Sequence, residues 1–142
     1  MSNDRKEQST YKIRTLEKAV ITLEKAMGKP IGEDRTEIDS CVLRFNCAIE
    51  VAWKTLKVVL LEKYKIEVKS PRSVVEAAFQ QDLIDGEEVW LAMLDDRNEA
   101  AHLYDQEVGD RVYEHIVDYF PVLWKTMLML KELSIQQEKE DV

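Results

Sequence analysis

The stretch Val42-Leu43-Arg44-Phe45-Asn46-Cys47-Ala48-Ile49-Glu50-Val51-Ala52-Trp53-Lys54-Thr55-Leu56-Lys57-Val58-Val59-Leu60-Leu61 decides the fold. Val42, Phe45, Ile49, Trp53, Leu56 and Leu60 step by threes and fours, the spacing that places side chains on one face of an α-helix. Leu43, Cys47, Val51, Val58 and Leu61 add a second apolar flank. A helix apolar on two flanks is covered on more than one side, so it is either central in a bundle or part of a subunit interface.

The same period continues outward from it. Ile13, Leu16, Val20, Leu23 and Met27 form one stripe, and Gly28-Lys29-Pro30-Ile31-Gly32 reads as the loop between the two helices. Downstream, Ser70-Pro71 pairs an N-cap residue with proline at the first helical position. It opens a short third helix that turns Val74, Val75, Ala78 and Phe79 inward. Asp85-Gly86 is a turn. A fourth helix runs from about Gly86 to about His102 with Val89, Trp90, Met93 and Leu94 inward. A fifth follows Gly109, with Val112, Ile116, Tyr119, Leu123, Met127 and Leu130 on its apolar face. Pro121 lies inside that pattern and should kink this helix rather than end it. No stretch alternates with period two for long enough to be a strand. The expectation is an all-α fold: one domain over residues 1–142, an up-and-down bundle of four main helices plus one short helix, frayed over 1–10 and 136–142.

Composition sets the outer bounds. At 142 residues, 45% apolar and 34% charged, the chain is one globular domain and not a disordered one. The formal net charge of −8 argues against a protein that coats nucleic acid with cationic surface throughout. No run approaches the roughly 18 apolar residues of a membrane span. Met1 to Thr10 lacks the apolar core of a signal peptide. Cys41 and Cys47 form no CxxC and read as buried thiols in a reducing compartment. A cytoplasmic protein with no membrane association is expected.

Most polar motifs have an ordinary explanation. Trp53, Trp90 and Trp124 fall in or beside apolar stripes, which favours packing over base stacking. Glu50 and Lys54 form an i,i+4 pair in the favourable order. Glu99-Ala100-Ala101-His102 spells Glu-x-x-His, but a di-iron bundle needs two such motifs, and Val112 stands three before the other histidine, His115. No metal and no other cofactor is expected.

The cluster Asp95-Asp96-Arg97-Asn98-Glu99-Ala100-Ala101-His102-Leu103-Tyr104-Asp105 is different. Arg97 carries a permanent charge on a planar fork that suits a phosphodiester. His102 exchanges protons near neutral pH, as attack by an RNA 2′-hydroxyl requires. Tyr104 adds a phenol. On a continuous helix five residues turn the chain by about 500°, leaving Arg97 and His102 about 140° apart, whereas Asn98 and His102 share a face. A joint site needs the helix to end near His102, or two copies of the motif to meet across a dimer axis. The alternative is that Arg97 pairs with Asp96 or another nearby carboxylate and His102 caps a helix C-terminus.

The run Arg97-Asn98-x-x-Ala101-His102-x-Tyr104 resembles the signature of the HEPN superfamily, in particular the HepT-like toxin partners of minimal nucleotidyltransferases. Arg44-Phe45 with Glu50-Val51-Ala52-Trp53-Lys54-Thr55-Leu56-Lys57 looks like the second-helix signature of nucleotidyltransferase substrate-binding proteins. Ser70-Pro71-Arg72, Ala77-Ala78-Phe79, Leu83-Ile84-Asp85-Gly86 and Trp90 are similar to that group's middle segment. The resemblance implies a homodimer that joins two motifs in a cleft and a metal-independent endoribonuclease acting on RNA, tRNA or mRNA. In it Arg97 would stabilise the transition state, His102 would serve as general acid or base, and Asn98 would support them. It also implies a cognate minimal nucleotidyltransferase acting as antitoxin by AMPylation of Tyr104. The added phosphate would occupy the cation and repel RNA. The same family includes non-catalytic substrate-binding subunits of two-protein nucleotidyltransferases, the alternative function.

The charge distribution bears on both readings. Between Trp53 and Arg72, Lys54, Lys57, Lys63, Lys65, Lys69 and Arg72 face only Glu62 and Glu67, while the motif itself is acidic. Lys54 and Lys57 are therefore the candidate RNA contacts, the alternative being a solvated helix face.

Overall fold

The computed structural model describes residues 2–101 and 105–140. Among them are five helices and no strand: α1 Ser2–Met27, α2 Thr36–Tyr64, α3 Pro71–Gln80, α4 Glu87–Ala100 and α5 Gln106–Glu140. Four main helices and one short one match the expectation. Helix α1 begins at Ser2 and α5 ends at Glu140.

Cross-links between helices give their directions. The buried Thr55 hydroxyl donates to the Val51 carbonyl at 2.7 Å and lies 3.3 Å from the Lys12 carbonyl, so the first half of α1 lies beside the second half of α2 and, with only a short loop between them, the pair is antiparallel. Arg35 pairs with Asp110 at the top of α5, and Lys131 pairs with Glu17 further down, so α5 runs against α1. Asn46 Nδ2 donates to the Ala100 carbonyl at 3.4 Å and Arg97 reaches Glu50, so α4 runs against α2.

Helix α2 packs against each of the other four. Phe45, Ile49, Leu56 and Leu60 are fully enclosed beside Leu16, Leu23, Trp90, Met93 and Leu123. Truncating one of these large side chains would cost about 2–5 kcal/mol. The second flank of α2 behaves differently. Leu43, Cys47 and Leu61 are exposed. Cys47 is thus not the buried thiol expected; it sits on the outer flank, away from the stripe that meets α1 and α5. Cys41 is enclosed, and burial pushes its thiol up to about 11.

Three boundaries show how local chemistry sets this arrangement. Ser70 caps α3 as the sequence indicates: its hydroxyl accepts from the Ser73 amide at 3.2 Å, Ser73 Oγ accepts from the Ser70 amide at 3.2 Å, and Pro71 follows. Phe79, expected inward, is exposed: Ala77 and Ala78 take the buried side of the last turn of α3, and the chain reverses at Asp82, φ 59°, to bury Leu83 and Ile84. Helix α5 starts before Gly109, not after it. Asp105 Oδ1 accepts from the Glu107 and Val108 amides at 3.1 and 3.3 Å, an N-cap that makes Gly109 an interior residue. The helix then runs through Pro121 without ending.

Helix α2 stops where Lys65 turns left-handed, φ 58°, and the Ile66 amide bonds the Leu60 carbonyl at 3.0 Å. A lysine there carries a Cβ penalty that glycine lacks. Lys65→Gly should raise stability by about 0.5–1 kcal/mol, read as a higher urea midpoint with an unchanged slope.

Candidate functional site

The last turn of α4 places two adjacent residues against two different helices. Asp96 lies on the buried stripe of α4, with Met93 and Ala100, and is 8% exposed. A carboxyl group there requires donors. Its Oδ2 receives the Tyr119 hydroxyl at 2.6 Å and His115 Nδ1 at 2.7 Å, both from α5. Tyr119 stacks on Phe45 at 5.5 Å and meets His115 edge-on at 5.9 Å. Burial, and then the bond to Asp96, hold the Tyr119 phenol protonated well above its ordinary range.

Arg97, one residue on, points toward α2 and α3. Its Nη2 lies 2.9 Å from Glu50 Oε2, and its Nη1 donates to Asn98 Oδ1 at 3.1 Å. Glu50 also accepts from the Trp53 indole N–H at 3.2 Å and pairs with Lys54 at 3.1 Å. Burial of Glu50 works to raise its pKa. The Trp53 indole, Lys54 and Arg97 outweigh it, and the net shift is downward. Of the carboxylates that the alternative reading offers to Arg97, Asp96 is taken by α5, and the partner is Glu50 of α2. Asp95 instead meets Arg72 at 3.5 Å.

Arg97, Asn98, Glu50 and Trp53 line a cleft of about 340 Å³, closed on its other side by Ser70, Pro71 and Arg72. Trp53 and Lys54 also line a larger groove of about 660 Å³ between α1, α2 and the segment following α2. Lys12, Lys57 and Lys69 project into it, and Val58, Leu61 and Val68 form its apolar wall. The structure thus gathers Arg97, Asn98, Lys54 and Lys57 on one side of the molecule. His102 and Tyr104 lie outside the described residues. Glu99, the other half of the Glu-x-x-His motif, pairs with Arg111. Among the described residues no group of three His, Cys, Asp or Glu side chains could hold a metal, and no helix is long and apolar enough to cross a membrane. Trp90 is fully enclosed, while Trp53 and Trp124 are partly covered.

Two features are not evident from the sequence. The Glu50–Lys54 pair is the middle of a four-residue cluster, not an isolated surface pair. The Asp96–His115–Tyr119 cluster is signalled only by a carboxylate on an apolar stripe, and by a histidine and a tyrosine four apart on a second helix.

The sequence profile described as nucleotidyltransferase substrate binding protein like matches residues 11–132, from the first turns of α1 to the last third of α5. The chain belongs to this family. A solved protein from Thermus thermophilus is 27% identical, with a TM-score of 0.74 over 81% of this chain and 98% of its own. A Haemophilus influenzae protein, described as having the fold of a substrate binding domain of a nucleotidyltransferase, is 22% identical. It superposes with a TM-score of 0.61 over 89% of this chain and 98% of its own, and that likeness concerns the fold. Among curated proteins none matches.

Two measurements check the site. Tyr119→Phe should cost about 1.5–3 kcal/mol in urea denaturation, since it leaves a buried carboxyl group short of a donor. For Glu50 the depressed pKa means that its stabilising contribution is present above the unfolded value of about 4.3 and fades as pH falls through the folded one. The stability gap between the wild type and Glu50→Gln should therefore be full near neutrality and shrink on acidification.

Proposed function

We propose that this chain is a non-catalytic subunit that binds substrate for a separate nucleotidyltransferase. The observation that carries the reading is the family match over residues 11–132, which contain the Arg97 cleft and all of the lysine-lined groove except Gln8. The fold shared with the Haemophilus influenzae protein supports it. The transferase would supply the chemistry, and this subunit the binding surface.

The ribonuclease toxin of the HEPN type is the finer reading, and it demands more. Arg97 would have to meet a scissile phosphate together with His102, across a homodimer in which RNA runs along Lys54 and Lys57. Both terminal nitrogens of its guanidinium are engaged within the subunit, and the Glu50 carboxylate beside it repels a phosphate. An arginine neutralised at rest favours binding and positioning over transition-state stabilisation. The exposed α2 flank at Leu43, Cys47 and Leu61 is where that homodimer would find apolar surface.

Co-expression with a minimal nucleotidyltransferase from the same genome should give a complex that survives size exclusion, and the purified chain should leave tRNA and mRNA intact in EDTA. Metal-independent cleavage that disappears in Arg97→Ala and His102→Ala would overturn the binding reading in favour of the ribonuclease. So would growth arrest relieved by an AMP-sized addition that Tyr104→Phe removes.

A further inference from the structure

We infer that the groove between α1, α2 and residues 65–70 is a site for a nucleotide: a planar base against Trp53 and the apolar wall, with its phosphates on Lys57 and Lys69. The inference rests on the substrate-binding reading and names the chemical class of the substrate.

The chain as a whole is acidic, with a net charge of −8, so an anion is repelled by most of its surface. The groove inverts that sign locally. Lys12, Lys54, Lys57 and Lys69 line it against Glu62 and Glu67. Lys54 is tied to Glu50, but among the described residues neither Lys57 nor Lys69 forms an ion pair. Ammonium groups around a concave surface suit a phosphate, which they bind as point charges. A polycationic substrate would meet the same charges as a barrier.

The second half of the argument is the wall. Val58, Leu61 and Val68 give the groove an apolar side that inorganic phosphate alone would not use, and the Trp53 indole stands at its edge. That ring is held in place: its N–H is bonded to Glu50, and the Lys54 ammonium lies 6.0 Å from its centroid. A fixed aromatic surface beside free ammonium groups matches a molecule with a flat ring at one end and phosphate at the other. At about 660 Å³ the groove falls in the usual range for small-molecule sites. The adjoining cleft, where Trp53 is also a wall, lets the bound molecule approach Arg97.

The test is titration of the full-length chain alone, by calorimetry, with ATP, AMP, adenosine and tripolyphosphate. Saturable binding of ATP and AMP is expected, weakening as salt rises, with adenosine and tripolyphosphate each at least about tenfold weaker. The double variant Lys57→Glu/Lys69→Glu should lose at least about tenfold in ATP affinity while its circular dichroism and melting temperature stay at wild-type values, since neither side chain is part of the core. Trp53→Leu should bring ATP down to the level of tripolyphosphate. Absence of saturable nucleotide binding, equal affinity for ATP and tripolyphosphate in the wild type, or indifference to the charge reversal would each overturn the inference. Complex formation with the transferase is a separate measurement, so failure of this site and failure of the partner reading are told apart.

Discussion

A carboxyl group enclosed at the end of a helix fixes much of this molecule. Asp96 sits where the apolar stripe of α4 demands a buried residue, and only the donors of Tyr119 and His115 make that position tolerable. Because a helix turns by about 100° per residue, holding Asp96 against α5 directs Arg97 to another face of α4, where α2 offers Glu50. Two neighbouring residues thereby lock α4 between two helices at a defined rotation. The walls of the Arg97 cleft follow from that rotation, since Leu94, Asp95 and Asn98 line it from the same turns.

Helix α2 plays the complementary role. One flank carries the core, and the next carries Glu50, Trp53, Lys54 and Lys57, so the walls of the cleft and the groove are built on the most heavily packed element. Side chains on such an element are placed more reproducibly than those on a loop, because the backbone beneath them is constrained by neighbours on several sides. Glu50 adds a second level of order by tying together a guanidinium, an ammonium and an indole. The result is an aromatic ring of fixed orientation between a cleft and a groove, in a region whose positive charge contrasts with the rest of the chain.

How much of this the sequence discloses depends on the range of the interaction. Helix existence and the Ser70-Pro71 start of α3 are local, set by a three-to-four-residue period and a capping pattern, and both are legible. The start of α5 is harder to place, because Gly109 is a conspicuous punctuator while Asp105, the residue that caps, is one acidic residue among several. Periodicity assigns Phe79 and Cys47 inward, yet it gives only the face of a helix and not whether another element reaches that face. Residues 50 and 97, or 96 and 119, meet through tertiary packing, and a single sequence contains no statement of that pairing.

The distinction between binding and chemistry at Arg97 turns on what surrounds a cation at rest. A guanidinium that is to stabilise developing charge works best when its donors are preorganised and unspent, because contacts made only in the transition state lower the barrier. Here the fork already faces Glu50 and Asn98, and the Glu50 carboxylate is held ionised by three donors. An incoming phosphate must displace that carboxylate or share the cation with it, and either route sets part of the gain against the loss of an existing pair. A subunit whose task is to hold a substrate tolerates this, since a bound anion can use the neighbouring lysines. Catalysis by Arg97 would require a rearrangement that frees it from Glu50 first. In the resting structure the positive charge available to an anion therefore lies in the groove along α2, one helical face away from the Arg97 motif.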